Sequence, residues 1–348
     1  MQIEIKMLNV NDGDAIIVCL SDSAKHLVVL IDGGHKNDDK EVIKQLKPFL
    51  TNTGKLAPDL IICTHYDTDH IAGLLGVIDY YGKNIGEVWL HHPGISVLKL
   101  FDLLSSSYNP LAEPRSLSLD QRSEVHMLRE QLSEANLLVE GTLVIESYAD
   151  LQKLVPLIKS YEIKLKEPFF GDCVLADWPE LEILGPTKDF YKELFPQDQS
   201  ISDLIMDQAM YSKELKEKLK LNEKLLTDAC RYLDTKTKDK VTKVNQASVI
   251  LLITVEENKY LFTGDASLES FLNIPAYKNK LRNLYWLKVP HHGSHNNISS
   301  ELIQTMSPKY AYISGKIHFD AEVKDCLENK NAIVQVTCIE EGHLIFKK

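Results

Sequence analysis

The chain has 348 residues, 44% of them hydrophobic, which is enough to bury one large core without requiring a second domain. Its net charge of −11 is that of an ordinary acidic surface and argues against a protein that coats nucleic acid, although it leaves a local basic groove open. The longest apolar runs are far shorter than the about 20 residues of a membrane span, so we expect no membrane association.

The amino-terminal third predicts an alternation of strands and helices. Polar and apolar residues alternate in residues 2–8, and residues 15–20 are continuously apolar. A polar turn separates the two segments, which predicts a hairpin. Further predicted elements are a strand at His26–Ile31, a helix at 39–52, a buried strand at Asp59–Cys63, a helix from Ile71 and a strand at Ile85–Leu90. Polar loops follow the ends of several of these strands, which is where open sheets place their sites.

The rest of the chain predicts helical segments between two groups of strands. Residues 96–165 and 188–243 are helical and polar, and residues 173–184 are rich in strand formers. The carboxy-terminal part predicts strands at 248–255, 259–263, 285–289 and 310–314, a helix at 321–329 and two short final strands. We therefore predict one domain over residues 1–348, with helical insertions at about 96–165 and 188–243.

Cysteine usage and the amino terminus favour a cytoplasmic protein. The six cysteines (positions 19, 63, 173, 230, 326 and 338) are scattered and form no Cys-x-x-Cys pair, so we expect reduced thiols in the core. The first residues lack the apolar segment of a signal peptide.

The strongest chemical signal is the loop His65-x-Asp67-x-Asp69-His70. It holds four possible metal ligands within six residues, directly after a buried strand, where carboxylates are costly unless they are paired or bind a metal. Imidazole together with carboxylate suits zinc, manganese or iron rather than calcium.

Two later loops supply further candidate ligands, each at the end of an apolar strand. The first is Asp265 in Thr263-Gly264-Asp265, and the second is the pair His291 and His292 in front of Gly293. Together the three loops provide enough ligands for two metal ions. Asp32, at the end of another strand, is a candidate for orienting a ligand histidine, and so is Asp14.

The loop at His65 resembles the signature of the metallo-β-lactamase superfamily in its H-x-D-x-D-H form. Similarity to the metallohydrolase domain of ComEC-type DNA-uptake proteins, and to its free-standing relatives, covers about two thirds of the chain. Stretches that carry it are Asn11–Ala15, Ile31–Gly34, the His65 loop, Asn245–Ser248, Thr263–Asp265, His291–Ser294 and the region from Pro308 to His318. The resemblance implies an α/β fold, the αββα four-layer sandwich with helical insertions.

The resemblance also implies the roles of individual residues toward two divalent ions, zinc or manganese. His65 and Asp67 would bind one ion, Asp69 and His70 the other, and Asp265 would bridge both. One of His291 and His292 would complete the second site, with His292 preferred and the reverse left open. Many members of the superfamily carry one more histidine ligand. Only His91, His92 and His126 lie in that interval, and we expect none of them to serve, which would leave the first ion weakly held or exchangeable.

The implied activity is hydrolysis, with a phosphodiester as the favoured substrate. Two ions would lower the pKa of a bridging water toward about 7, and Asp69 would hold the resulting hydroxide in line and take its proton. His291 and His318 are candidates for contacting the leaving group or a phosphate oxygen.

Nucleic acid is the candidate partner. Residues 213–243 hold ten Lys or Arg against six Asp or Glu, and such a basic stretch could guide a nucleic-acid backbone. A solvated helix of mixed charge is the favoured interpretation, because Lys and Glu alternate there. The alternatives are a small-molecule phosphoester or lactone hydrolase on the same site, and a subunit of a multi-component assembly, such as a phage-defence system, that docks partner proteins through the helical insertions.

Overall fold

The computed structural model describes residues 1–92, 119–172, 175–196, 201–218, 229–315, 319–340 and 342–348. The strands are β1 (Gln2–Met7), β2 (Ile16–Ser21), β3 (His26–Ile31), β4 (Leu60–Ile62), β5 (Glu87–Trp89), β6 (Lys164–Lys166), β7 (Leu181–Gly185), β8 (Ile250–Val255), β9 (Asn258–Phe262), β10 (Trp286–Lys288), β11 (Tyr310–Ile313), β12 (Ile333–Val336) and β13 (Leu344–Lys347).

Helices in the described residues are α1 (Asp39–Thr53), α2 (Thr68–Tyr81), α3 (Leu119–Glu134), α4 (Leu138–Ser160), α5 (Lys188–Leu194), α6 (Ile201–Lys218), α7 (Ala229–Thr235), α8 (Lys243–Gln246), α9 (Leu268–Leu272), α10 (Tyr277–Leu281), α11 (Ser300–Met306) and α12 (Ala321–Asn329). Within this part of the chain, none of them has the length and apolar character of a membrane-spanning segment.

The strands form two mixed sheets. The first has the order β13-β1-β2-β3-β4-β5-β6, antiparallel from β13 to β3 and parallel from β3 to β6. The second has the order β12-β11-β10-β9-β8-β7, antiparallel from β7 to β9 and parallel from β9 to β12. In both sheets the parallel strands end at an edge where polar loops follow.

Both faces of the sheets are buried, which explains the continuous apolar runs in their strands. In β2, Ile16, Val18 and Leu20 lie in the core between the two sheets, while Ile17 and Cys19 face the helices. Helices α1, α2, α4 and α6 cover the outer face of the first sheet, and α7, α9, α11 and α12 cover that of the second. The layers run helix, sheet, sheet, helix, which confirms the predicted αββα sandwich.

The helical insertions contain the expected helices, but two details of the prediction are wrong. Residues 164–166 form β6, the edge strand beside β5, whereas helix was predicted to 165. With three residues, two of them lysine, β6 carries no apolar signal. In 173–184 the described residues form turns and one isolated bridge, Leu175 to Trp178, before β7 begins at Leu181. The single domain stays a prediction.

The expectation of reduced cysteines is also wrong. Cys230 on α7 and Cys326 on α12 form a disulfide, whereas Cys19, Cys63 and Cys338 are free thiols. The two bonded residues are 96 positions apart, and only the packing of α7 against α12 brings their Cα atoms to 4.7 Å. Spacing along the sequence gives no sign of such a pair.

We expect loss of this disulfide to lower the free energy of unfolding by about 2–4 kcal/mol, because the bond closes a long loop and so restricts the unfolded chain. Denaturant unfolding of Cys230→Ser/Cys326→Ser beside the wild type measures the effect. Cys338→Ser is the matched control, since this partly exposed thiol is free. Six free thiols in the oxidised, unfolded protein would contradict the prediction.

Candidate metal centre

The first sheet supplies one half of the candidate centre from the loop after β4. Asp67 precedes α2, and Asp69 and His70 lie in its first turn, where the helix dipole favours a carboxylate. His65 and His70 are buried, whereas the side chains of Asp67 and Asp69 are 34% and 26% exposed. The two carboxylates therefore line the side of the centre that opens to solvent.

Close backbone packing fixes this loop against the neighbouring ones. A Cβ atom at Gly73 on α2 would lie 1.9 Å from the carbonyl oxygen of Gly33, and one at Gly13 would lie 2.5 Å from that of Asp69. The backbone N–H of Gly33 donates a hydrogen bond to the backbone carbonyl oxygen of His70 at 2.8 Å. Only glycine allows α2 to approach the loop after β3 so closely.

The second sheet supplies the other half from the loops after β9 and β10. Asp265 follows β9, where Ser248 accepts a hydrogen bond from its backbone N–H at 3.1 Å. His291 and His292 follow β10 and both adopt left-handed backbone conformations, with φ of 46° and 51°. Such residues are uncommon outside glycine and cluster at functional sites.

The two halves meet at one oxygen atom, Oδ2 of Asp265. Four histidine Nε2 atoms surround it at 3.9 Å (His65), 3.5 Å (His70), 3.6 Å (His291) and 3.6 Å (His292). Ligands that bind one ion at 2.0–2.2 Å are separated from each other by about 3.3–3.6 Å, so these spacings suit shared metal coordination.

The half-buried carboxylates of Asp67 and Asp69 complete the set of candidate ligands. Oδ2 of Asp69 lies 3.6 Å from Nε2 of His70 and 3.4 Å from that of His292. Oδ2 of Asp67 lies 3.7 Å from Nε2 of His65. The structure thus brings together all six residues predicted as ligands.

Each of the four histidines has its other ring nitrogen occupied. Nδ1 contacts Thr64 Oγ1 at 3.1 Å in His65, Asp32 Oδ2 at 2.9 Å in His70, Asn297 Oδ1 at 2.9 Å in His291, and both oxygens of Ser314 at 3.2 Å in His292. Metal-binding histidines nearly always have such a partner, which directs the Nε2 lone pair at the ion.

Asp32 and Asp14, the predicted orienting residues, lie behind the histidines. Asp32 accepts hydrogen bonds from the backbone N–H of Thr64 at 2.7 Å and from its hydroxyl at 2.6 Å, in addition to its contact with His70. Asp14 accepts a hydrogen bond from the hydroxyl of Ser314, the residue that also contacts His292. Both aspartates therefore orient ligand candidates from a distance.

Lys288 is the main residue of the centre that the sequence analysis missed. Its fully buried Nζ lies 2.5 Å from Oδ2 of Asp14, 2.9 Å from the carbonyl oxygen of Gly264 and 3.5 Å from Oδ1 of Asp265. Lysine is almost never buried unless it is paired, so a lysine in the apolar run of β10 was the available signal.

The pKa values of the centre follow from burial and neighbouring charge. Burial lowers the pKa of His65 to about 3. Burial would also lower that of His70, but Asp265, Asp69 and Asp32 outweigh this effect and raise its pKa well above the usual value. Burial, assisted by Asp69, raises the pKa of Asp67 to about 7.

We expect the raised pKa of Asp67 to appear as proton release when a metal ion binds. Near pH 6 the carboxyl still holds its proton, which the ion must displace, whereas near pH 8 the proton has already left. Wild type should release about one proton more than Asp67→Asn at pH 6, and the same number at pH 8. Calorimetry in buffers of different ionisation enthalpy measures this number. Equal release by both proteins at pH 6 would contradict the assignment.

The remaining histidine candidates lie elsewhere. His91 is buried and stacks on Phe169 and Tyr191 at 4.6 and 4.8 Å. His92 donates its backbone N–H to Glu167 at 3.4 Å. The side chain of His126, on α3, and the whole of His318 lie outside the described residues. None of His91, His92 and His291 is among the groups of three or more possible ligands that lie within 4.8 Å of one another in the described residues, so the role of each stays a prediction.

A family model of known proteins matches the amino-terminal part of the chain. Residues 12–145 match the model described as the metallo-beta-lactamase superfamily. No curated protein matches the chain.

Solved structures that match this chain share little sequence with it. The metallo-beta-lactamase fold protein YhfI from Bacillus subtilis is 10% identical, with a TM-score of 0.45 over 100% of this chain and 99% of its own. The Thermotoga maritima protein tm0894 is 13% identical, with a TM-score of 0.30 over 76% and 79%. The hydrolase AbOPH of the beta lactamase superfamily is 10% identical, with a TM-score of 0.30 over 72% and 56%.

Proposed function

We propose that the protein is a hydrolase that uses two divalent metal ions, zinc or manganese, to cleave a phosphodiester. The observation that carries the proposal is the convergence of four histidine Nε2 atoms on one carboxylate oxygen of Asp265. Proteins of the metallo-beta-lactamase fold are generally hydrolases. The described residues of this chain include groups of histidine and aspartate that could hold a metal ion.

The donor atoms suit metal ions. Among the residues that the structure describes, Nε2 of His65, of His70 and of His292 is buried and has no hydrogen-bond partner, which costs free energy unless another group contacts the atom. Imidazole and carboxylate together suit zinc and manganese. A metal ion at each group of ligands would satisfy these atoms.

The charge of the centre supports two ions rather than one. Five carboxylates face it or lie directly behind it, those of Asp14, Asp32, Asp67, Asp69 and Asp265. Ligands that bind a metal ion must be neutral as histidines and ionised as carboxylates, so with the single positive charge of Lys288 the residues of the loaded centre would contribute −4. Two divalent cations would bring it to zero, whereas one would leave a buried charge of −2, which is costly.

His65 and Asp67 would hold the first ion, and Asp69, His70 and His292 the second, with Asp265 between them. Two such ions supply an activated water and stabilise negative charge on the reacting oxygens. Burial would raise the pKa of Asp69, but His70 and His292 outweigh this and lower it, so the carboxylate is ionised and weakly basic. We therefore assign Asp69 to orienting water at the open edge rather than to accepting its proton.

A phosphodiester is proposed because of the resemblance to ComEC-type metallohydrolases. The basic stretch gives less support than its composition suggests. Lys236 pairs with Glu322 at 2.5 Å, and Lys238 donates to the backbone carbonyl oxygens of His295 and Ile298 at 2.5 and 2.7 Å. These two lysines hold α7 and the following segment against the loop after β10. Any contact with nucleic acid would use other basic residues.

The test is hydrolysis by metal-loaded protein of labelled single- and double-stranded DNA, a nitrophenyl phosphodiester, a nitrophenyl phosphomonoester and a lactone. We expect cleavage of the diesters, and a loss of roughly 100- to 10,000-fold in Asp69→Ala. Asp79→Ala is the matched control. Asp79 lies on the same helix but is exposed, and its side chain accepts a hydrogen bond from the hydroxyl of Tyr161 at 2.8 Å.

Each other outcome redirects the proposal. Cleavage of the nitrophenyl diester without cleavage of DNA would favour a small-molecule phosphoesterase, and activity on the lactone alone would replace the phosphodiester with a carboxylic ester. A metal-loaded protein that is inactive on every substrate would overturn the enzymatic proposal for the isolated chain and favour a subunit of a larger assembly.

A further inference from the structure

The two adjacent histidines after β10 are arranged alike, although only one of them is needed at the second ion. Nε2 of His291 and Nε2 of His292 lie at the same distance, 3.6 Å, from Oδ2 of Asp265. Both residues adopt the left-handed backbone conformation, a strained state for a non-glycine residue, and their side chains reach the same oxygen atom. The turn therefore holds both rings at the centre.

The hydrogen bonds of Asn297 fix the proton on His291. The Nδ2 amide of Asn297 donates to the carbonyl oxygens of Asp265 and Ala266 at 2.9 and 3.2 Å, so its Oδ1 faces Nδ1 of His291. An amide oxygen only accepts, and Nδ1 must therefore carry the hydrogen. In the neutral ring, Nε2 then presents a lone pair to a carboxylate oxygen, a repulsive contact unless a cation lies between them.

The first group of ligands lacks one member, whereas the second is complete. Asp69, His70, His292 and Asp265 give the second ion four ligands, but His65, Asp67 and Asp265 give the first only three. Zinc prefers four. Of the described candidates for the missing histidine, His91 stacks on Phe169, and His92 lies beside Glu167.

We infer that His291 is the missing ligand of the first ion, a role that rests on the proposed dinuclear function. The loop after β10 then serves both ions through neighbouring residues, and His291 does not contact the leaving group as the sequence analysis expected. Nδ2 of Asn245 lies 3.5 Å from Nε2 of His291, at the outer limit of a hydrogen bond, and would be displaced by the ion.

Metal content tests the inference without an activity assay. Metal-stripped wild type, His291→Ala and His292→Ala are dialysed to equilibrium against Mn²⁺ or Zn²⁺ and analysed for bound metal. We expect two ions per chain in the wild type and one in each variant at concentrations that just saturate the wild type. His343→Ala is the control, since this half-buried histidine contacts Glu41 at 3.2 Å and belongs to none of the groups of possible ligands among the described residues, and it should retain two.

Double variants identify which ion is lost. His291→Ala combined with Asp67→Asn should still bind one ion, because both changes affect the first site. His291→Ala combined with Asp69→Asn should bind none. Asn297→Ala leaves all proposed ligands in place and should lower the affinity for one ion by about 10- to 100-fold. This variant tests the inference if His291→Ala fails to fold.

Two results distinguish failure of this inference from failure of the proposed function. If His291→Ala and Asn297→Ala both bind two ions with wild-type affinity, His291 is not a ligand and the inference is overturned while the dinuclear centre stands. If the wild type itself binds no metal, the proposed function fails with it.

Discussion

Asp265→Asn should weaken binding of both metal ions by more than about 100-fold and should abolish hydrolysis. Loss of a residue that only hydrogen-bonds a metal ligand costs less, roughly 10- to 100-fold in affinity. The reason is geometric, since a single oxygen of this side chain faces four histidine Nε2 atoms at 3.5–3.9 Å. An amide of the same shape removes the negative charge that both ions would share.

A graded series of aspartate variants separates this effect from a general loss of buried charge. Asp32→Asn, which alters the partner of His70 Nδ1 but no proposed ligand, should cost about 10- to 100-fold in affinity for one ion. Asp79→Asn on the surface of α2 should cost nothing. Competition with a chromophoric chelator gives the three affinities, and Asp265→Asn with two tightly bound ions would show that this residue does not bridge.

Lys288→Met should lower the free energy of unfolding of the metal-free protein by about 3–5 kcal/mol, the cost of removing one partner from a buried ion pair. Lys288 is fully buried, with Nζ 2.5 Å from Asp14 and 3.5 Å from Asp265, so its loss removes a buried cation from beside both carboxylates. Bound metal ions would supply part of the missing positive charge. The destabilisation should therefore shrink once the protein is loaded.

Denaturant unfolding of four proteins measures this coupling: wild type, Lys288→Met, Asp14→Asn and the double variant. The double variant should be more stable than the sum of the two single losses implies, because neither group is then left unpaired. Strictly additive losses, or a Lys288→Met protein within about 1 kcal/mol of the wild type, would show that the pair does not balance the charge of the centre.

The ligand candidates could be predicted from the sequence because they follow apolar strands directly. His65, Asp265 and His292 each come after a strand whose parallel neighbours end at the same edge, so local pattern and sheet topology agree. The same agreement made the αββα layers predictable, since strands buried on both faces and amphipathic helices leave strong periodic signals.

Features that depend on contacts between distant elements could not be predicted. Lys288 lies in an apolar strand, and only the packing of the two sheets shows that Asp14 and Asp265 neutralise it. The partner of His291, Asn297, is likewise defined by the path of a loop rather than by a motif. Cys230 and Cys326 meet because α7 packs on α12, which no spacing rule reveals.

The most direct test of the central claim is a titration of metal-stripped protein with Mn²⁺ or Zn²⁺ while hydrolysis of a nitrophenyl phosphodiester is followed. The proposed centre predicts no activity without metal, and a rate that becomes maximal only when two equivalents are bound. Hydrolysis by the metal-free protein, or no hydrolysis of the diester with two ions bound, would contradict it.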